Sequence, residues 1–151
     1  MGINVDVGYI FTNALTEVIS TVSGFSLEVL SQEPDNYFDD MIGIMNFHGE
    51  INGVLFVSSN AADMRALCSY MIGVPLSEVL EEDVDDALNE LTNMTAGNAK
   101  IRFGYLENVF HLSPPFVVKG KGMAIGTRKK TRMVSRTLGN GEITVKFKVI
   151  Y

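Results

Sequence analysis

The stretch that most constrains this chain is Asn89-Glu90-Leu91-Thr92-Asn93-Met94-Thr95-Ala96-Gly97-Asn98-Ala99-Lys100. A helix turns about 100° per residue, so apolar side chains at i, i+3, i+4 and i+7 mark a buried stripe. Val84, Ala87, Leu88, Leu91 and Met94 make that stripe. Glu90 and Asn93 stand three apart, each two residues from a stripe position, about 200° round the helix. A carboxylate and a carboxamide are therefore side by side on the wet face. Asn and Gly97 are poorer helix formers than Ala, so a long helix that keeps them has a second use for that face.

The rest of the chain supplies partners for such a helix. Phe11, Ala14, Leu15, Val18 and Val22 set another helix between Val7 and Ser23, with Gly24 as its stop. Phe25 to Ser31 alternates as a strand, and Glu33-Pro34-Asp35-Asn36 reads as a turn. Asp40 to Ser58 reads as two strands joined around His48-Gly49-Glu50, with Gly49 and Gly53 serving a turn or bulge. Asn60 caps a helix over Asp63 to Ile72 that Gly73 ends, and Ser77 is the expected cap of the long helix. That helix runs on toward Ile101 or Phe103. Strands follow Pro114-Pro115, over Phe116 to Lys119, Gly122 to Thr127, Thr131 to Leu138 and Glu142 to Ile150, with a hairpin at Leu138-Gly139-Asn140-Gly141. The expected class is α+β, helices packed on a mostly antiparallel sheet, in one domain over residues 1–151. The segment from Asn13 to Gly24 also overlays that from Asp86 to Gly97, with Ala, Leu, Glu and Gly at equal spacing and Ser20 where Asn93 stands. Two related halves would look like this, and so would any two amphipathic helices that end in Gly.

Composition removes whole classes of function. A chain of 151 residues, 46% hydrophobic and 20% charged, buries a real core and is not disordered. No apolar run approaches the roughly 18–20 residues of a bilayer span, and the N-terminus lacks a signal-peptide pattern. Cys68 is alone, so no intrachain disulfide forms and a reducing, cytoplasmic setting is expected, with the thiol buried and inert. The net charge of −6 is uneven: 17 Asp and Glu against Arg65, Lys100 and Arg102 up to Val118, then nine Lys and Arg against Glu142 alone. Nucleic-acid binding needs a net positive footprint. The basic strands are expected instead to complement the acidic part of the same fold or of a second copy. The six acids between Glu78 and Asp86 suit the positive end of a helix and need no metal.

The common catalytic constellations are missing. His48 and His111 have no metal-ligand spacing to each other or to Cys68. No nucleophile elbow or phosphate-cradling loop occurs, and Gly120-Lys121-Gly122 has the wrong spacing for one. What remains is Glu90 with Asn93. A carboxamide is no general base near neutral pH, but it accepts and donates hydrogen bonds and so can hold a water in a chosen orientation. Phosphoryl transfer gains most from that, because its catalysis is largely positioning and charge stabilisation.

The run from Glu90 to Ala99 resembles the signature helix of the CheC/CheX/FliY family of response-regulator phosphatases, most closely its CheX members, which carry one such motif. The likeness of pattern extends to the N-terminal helix, the Gly49 and Gly53 hairpin and the C-terminal sheet after Pro114-Pro115. Ser20 departs from the Asn of a second motif, which argues for one working site. The resemblance implies removal of the phosphoryl group from the aspartyl phosphate of a CheY-like receiver domain. Asn93 would align the attacking water, Glu90 would pair with a receiver lysine, and Asp86, Ala96 and Gly97 would border the partner. The receiver would bring Mg²⁺, this chain no cofactor or metal of its own. Asn98 is expected to be a structural hydrogen-bonding residue, and Arg128, Lys129 and Lys130 a solvated hairpin tip. The resemblance also implies a homodimer formed by sheet pairing, with no nucleic acid or membrane partner. The alternative is a module that binds a receiver or flagellar-switch component through the same helix without hydrolysis.

Overall fold

Side-chain caps decide where the first two helices begin. In the computed structural model, which describes residues 5–49, 51–104 and 110–151, Asp6 accepts a hydrogen bond from the Tyr9 N–H at 3.0 Å and starts α1, Val7–Ser23. Gly24, at φ 77°, ends it in the left-handed conformation that glycine adopts without strain. Asn60 accepts from the Asp63 N–H at 2.8 Å at the head of α2, Ala61–Ile72. The long helix α3, Glu81–Arg102, does not start at Ser77. Ser77 lies in a 3-10 turn, Leu76–Glu78. Val79, 2% exposed, is drawn into the core in extended backbone and cuts that turn off from α3. Asp83 Oδ2 instead receives the Leu80 N–H at 2.9 Å, a helix start stapled from its own first turn.

The strands are β1 (Glu28–Ser31), β2 (Met41–Gly49), β3 (Gly53–Ser59), β4 (Phe110–Leu112), β5 (Phe116–Lys119), β6 (Met133–Gly139) and β7 (Thr144–Ile150). Every pairing between them is antiparallel, in the order β1-β6-β7-β3-β2, with β4 and β5 along different lengths of the far side of β2. The α+β class expected from the sequence holds. With β4 set aside, the order β1-β6-β7-β3-β2-β5 reads the same from either edge when β1, β2 and β3 exchange with β5, β6 and β7; neither β4 nor α2 has a counterpart among the described residues.

Two expectations about the strands need correction. Residues 122–127 form no strand: Gly122 takes φ 64°, and the segment touches residues 36–38 through a single bridge, Tyr37 to Ala124, flanked by hydrogen bonds from Phe38 N–H to Met123 O and from Ile125 N–H to Asn36 O, both 2.9 Å. Strand β4 was not anticipated. Glu50, in the expected turn between β2 and β3, lies outside the described residues.

Alternation sorts the sheet into two faces. Met41, Met45, Phe47, Leu55, Val57, Val145, Phe147 and Val149 are buried toward the helices. Phe11 of α1 lies at the centre, with ring centroids 6.2–6.4 Å from Phe47, Phe103 and Phe147. Burying such side chains stabilises by roughly 1.5–3 kcal/mol each before entropy is counted. On α3, Leu88, Leu91, Thr92, Thr95 and Ala99 are fully buried. The helix comes so close to β2 at Gly43 that a Cβ there would lie 2.0 Å from Thr92 Oγ1. The opposite face carries Lys148, 1% exposed beneath the strap of residues 35–40, with Nζ 5.2 Å from the Phe38 ring centroid.

Among the described residues, three of the nine basic residues that follow Val118 are paired with acids inside the fold. Lys119 Nζ is 2.9 Å from Asp85 Oδ2 and 3.5 Å from Glu81 Oε1. Lys146 lies 3.6 Å from Asp39 and 3.9 Å from Asp35, and Lys148 is 4.0 Å from Asp35. Basic strands thus meet acids from earlier in the chain. Arg128, Lys129 and Lys130 remain exposed, as a solvated tip would be.

Candidate functional site

The buried stripe of α3 decides which residues face outward. Asp86, Glu90 and Asn93 are exposed and Gly97 is half-buried. At 100° per residue these four fall within an arc of about 60° and along roughly 16 Å of helix. Nothing lies within 4 Å of where a Gly97 Cβ would be. Ala96 corrects the expectation made for it: one residue round from Gly97, it is 2% exposed and packed in the core, so it borders no partner.

Two buried hydroxyls keep this face oriented. Thr92 and Thr95, both 0% exposed, each donate to the carbonyl four residues back, Leu88 O and Leu91 O, at 2.7 Å. Their hydroxyls are thereby satisfied inside the helix. Asn93 follows Thr92 directly, so the clamp of Thr92 against Gly43 points the Asn93 amide away from the sheet.

Beside the face runs a groove between α1 and α3 of about 430 Å³, lined by Asn93, Met94, Gly97, Ile101, Val18 and Leu112 among others. Arg102 ties the two helices together. Its guanidinium pairs with Glu17 of α1, and its Nε donates to Asn98 Oδ1 at 2.6 Å. Asn98 is thus the structural hydrogen-bonding residue expected of it. The Glu17–Arg102 pair was not singled out from the sequence.

Other candidates carry less. His48 and His111, far apart in sequence, are opposite each other on β2 and β4 with rings 5.9 Å apart, but no group of three or more potential metal ligands occurs among the described residues. Cys68 is 0% exposed, and burial first, then the Asp83 carboxylate, pushes its thiol above the ordinary pKa. It is inert. A cavity of about 520 Å³ between α2, β5 and the start of α3 mixes Arg65, Lys119 and Lys121 with Asp40, Glu81 and Asp85, and is lined by none of the exposed residues of the α3 face. No helix among the described residues is long and apolar enough to cross a membrane.

A family model described as the chemotaxis phosphatase CheX matches residues 41–138. The chain belongs to the CheX family. The match includes α3 and its outward face, and with it Asp86, Glu90, Asn93 and Gly97. The CheY-P phosphatase CheX of Thermotoga maritima is 29% identical over 85 residues, 56% of this chain and 55% of that protein, so the alignment spans about half the relative's length. Among solved structures, CheX of Vibrio vulnificus superposes with a TM-score of 0.82 at 20% identity, covering 96% of this chain and 98% of that one. CheX in the CheX–CheY–BeF3–Mg²⁺ complex of Borrelia burgdorferi gives 0.79 at 15% identity, covering 97% and 99%. The α+β sheet with its helical layer is the CheX/CheC-like fold.

Proposed function

We propose that this chain dephosphorylates the aspartyl phosphate of a CheY-like receiver domain, with Asn93 as its catalytic residue. The observation that carries the reading is the exposed Asn93 amide, one turn from exposed Glu90 on the outward face of a helix clamped to the sheet. Asn93 enters the receiver's pocket, accepts a hydrogen bond from a water and holds it in line with the P–O bond to be broken. Water adds to phosphorus, the aspartate carboxylate leaves, and inorganic phosphate is released. Glu90, with Asp86 one turn before it, meets cationic side chains of the receiver, and Gly97 lets the receiver's surface approach α3 closely.

Mg²⁺ brought by the receiver would neutralise the charge on the phosphoryl oxygens. The related Borrelia complex supports this division of labour: it holds CheY, BeF3 and Mg²⁺ together with CheX, the BeF3 standing in for the phosphoryl group. A homodimer formed along a sheet edge belongs to the same proposal; β5 leaves Phe116 48% exposed at that edge.

Loss of phosphate from a Mg²⁺-bound receiver is the assay. The wild-type chain is expected to accelerate it. Asn93→Ala is expected to lower kcat by about 100-fold or more, with stability unchanged within about 0.5 kcal/mol because the side chain is exposed. Glu90→Ala is expected to raise KM. Full activity in Asn93→Ala removes the mechanism, and tight receiver binding without hydrolysis by the wild type selects a binding module.

A further inference from the structure

Resting on that reading, we infer that Ile101 and the α1–α3 groove form an anchor that holds the receiver on the face presenting Asn93. Asn93 itself lines this groove, so whatever covers Asn93 meets the groove as well. One turn along α3 from Asn93, Gly97 leaves an open notch. One turn further, Ile101 stands 66% exposed. Eight residues at 1.5 Å each put Ile101 about 12 Å from Asn93. A stable protein–protein contact covers about 800 Å² on each partner, a disc roughly 16 Å in radius. A receiver centred on Asn93 therefore covers Ile101. An apolar side chain within that disc, in a groove it shares with half-buried Met94 and Leu112 and buried Val18, loses its water when the receiver seats.

The same face changes character along its length. Asp86 and Glu90 make the N-terminal half acidic, whereas Ile101 and Met94 make the C-terminal half apolar. Glu17 does not make the groove acidic, because Arg102 engages it and Asn98 holds Arg102 in place. The occupant of the groove is thus an apolar side chain of the receiver, carried beside its phosphorylated aspartate, while the receiver's basic side meets Asp86 and Glu90. A receiver docked the other way round would press apolar surface on two carboxylates and a cation on Ile101. Such mismatches discriminate between orientations and between receivers.

The test measures binding and hydrolysis separately, using CheY-like receivers of the same genome. Binding is read on the receiver locked with beryllium trifluoride and Mg²⁺, hydrolysis on the phosphorylated form. Ile101→Asp is expected to weaken binding and raise KM about tenfold or more, with kcat at saturating receiver unchanged within twofold. Ile101→Leu is expected to stay near wild type. Ile72→Asp, an equal charge at an isoleucine 47% exposed at the end of α2, is expected to change nothing. Unchanged binding by Ile101→Asp while the wild type hydrolyses overturns the anchor and leaves the phosphatase reading standing. Equal weakening by Ile72→Asp overturns it too. Weakened binding by Ile101→Asp in a chain that never hydrolyses supports the anchor and removes the phosphatase reading. A wild type that neither binds nor hydrolyses overturns both.

Discussion

Gly43→Ala is a one-carbon test of how α3 is held. The new Cβ would lie 2.0 Å from Thr92 Oγ1, 3.2 Å from Thr92 Cβ and 3.3 Å from Leu88 Cγ. Real Cβ atoms essentially never come within 3.0 Å of a neighbour, so helix and strand must part by at least 1 Å or Thr92 must rotate. Parting them strains a packed core by about 1–3 kcal/mol. Rotating Thr92 gives up its 2.7 Å bond to Leu88 O, about 1 kcal/mol, and leaves a buried hydroxyl unpaired. The stiffer unfolded chain returns about 0.4–1 kcal/mol. The expected net loss is about 2 kcal/mol, or roughly 4–8 °C in Tm for a chain of this length. Urea denaturation of a double-mutant cycle with Thr92→Ala isolates the cause. Thr92→Ala removes the 2.0 Å contact, so the double variant should be at least about 1 kcal/mol more stable than the two single losses add up to. A Gly43→Ala protein as stable as wild type, or a strictly additive cycle, would refute the close approach as the constraint on α3.

Two further outcomes are expected. Lys148→Met should be neutral to stabilising by up to about 2 kcal/mol, because a buried cation is replaced by an apolar chain of similar volume above Phe38. Burial first of all lowers the Lys148 pKa from its ordinary 10.5, against the pull of Asp35 and Asp39 and with the help of neighbouring Lys146. Between the lowered folded value and 10.5 the unfolded chain binds more protons, so this group's contribution to stability rises with pH across that window. Denaturant titrations across the alkaline range should show wild type gaining on Lys148→Met, and a flat difference would contradict it. Gly97→Ala should stabilise the free chain by about 0.5–1 kcal/mol, since its Cβ enters open space in a helix interior. Under the receiver-docking proposal the same change should raise KM, and a stabilised variant with unchanged KM would take Gly97 out of the contact.

What was legible in the sequence follows a physical rule. Signals that act within one turn came through: the Asp63 cap made by Asn60, the left-handed stops at Gly24 and Gly73, and the apolar stripe that turns Glu90 and Asn93 outward. Signals that depend on distant chain did not. Ser77 has a capping side chain, but the burial of Val79 overrules it. Residues 122–127 pair with residues 36–38 in one bridge, which no local pattern announces. Ala96 and Gly97 look alike as small residues, yet 100° of helix separates a core position from a surface one. The groove beside Asn93 needs α1, residues distant in sequence, and so was invisible until the two helices were packed.

The proposed chemistry depends on those distant contacts more than on the motif itself. An Asn on a loose surface helix would lose much of its positioning effect to motion, since a displacement of about 1 Å can cost about 100-fold in rate. Here the neighbour of Asn93 is Thr92, pressed against the bare backbone of Gly43 with its hydroxyl tied to Leu88 O. At the far end, Arg102 links α3 to α1 through Glu17. One contact fixes the depth of the helix on the sheet and the other ties its C-terminal end to α1. Residues that never touch a receiver therefore govern how steadily the amide is presented, and a change at Gly43 should reach kcat through Asn93 without altering the outward face at all.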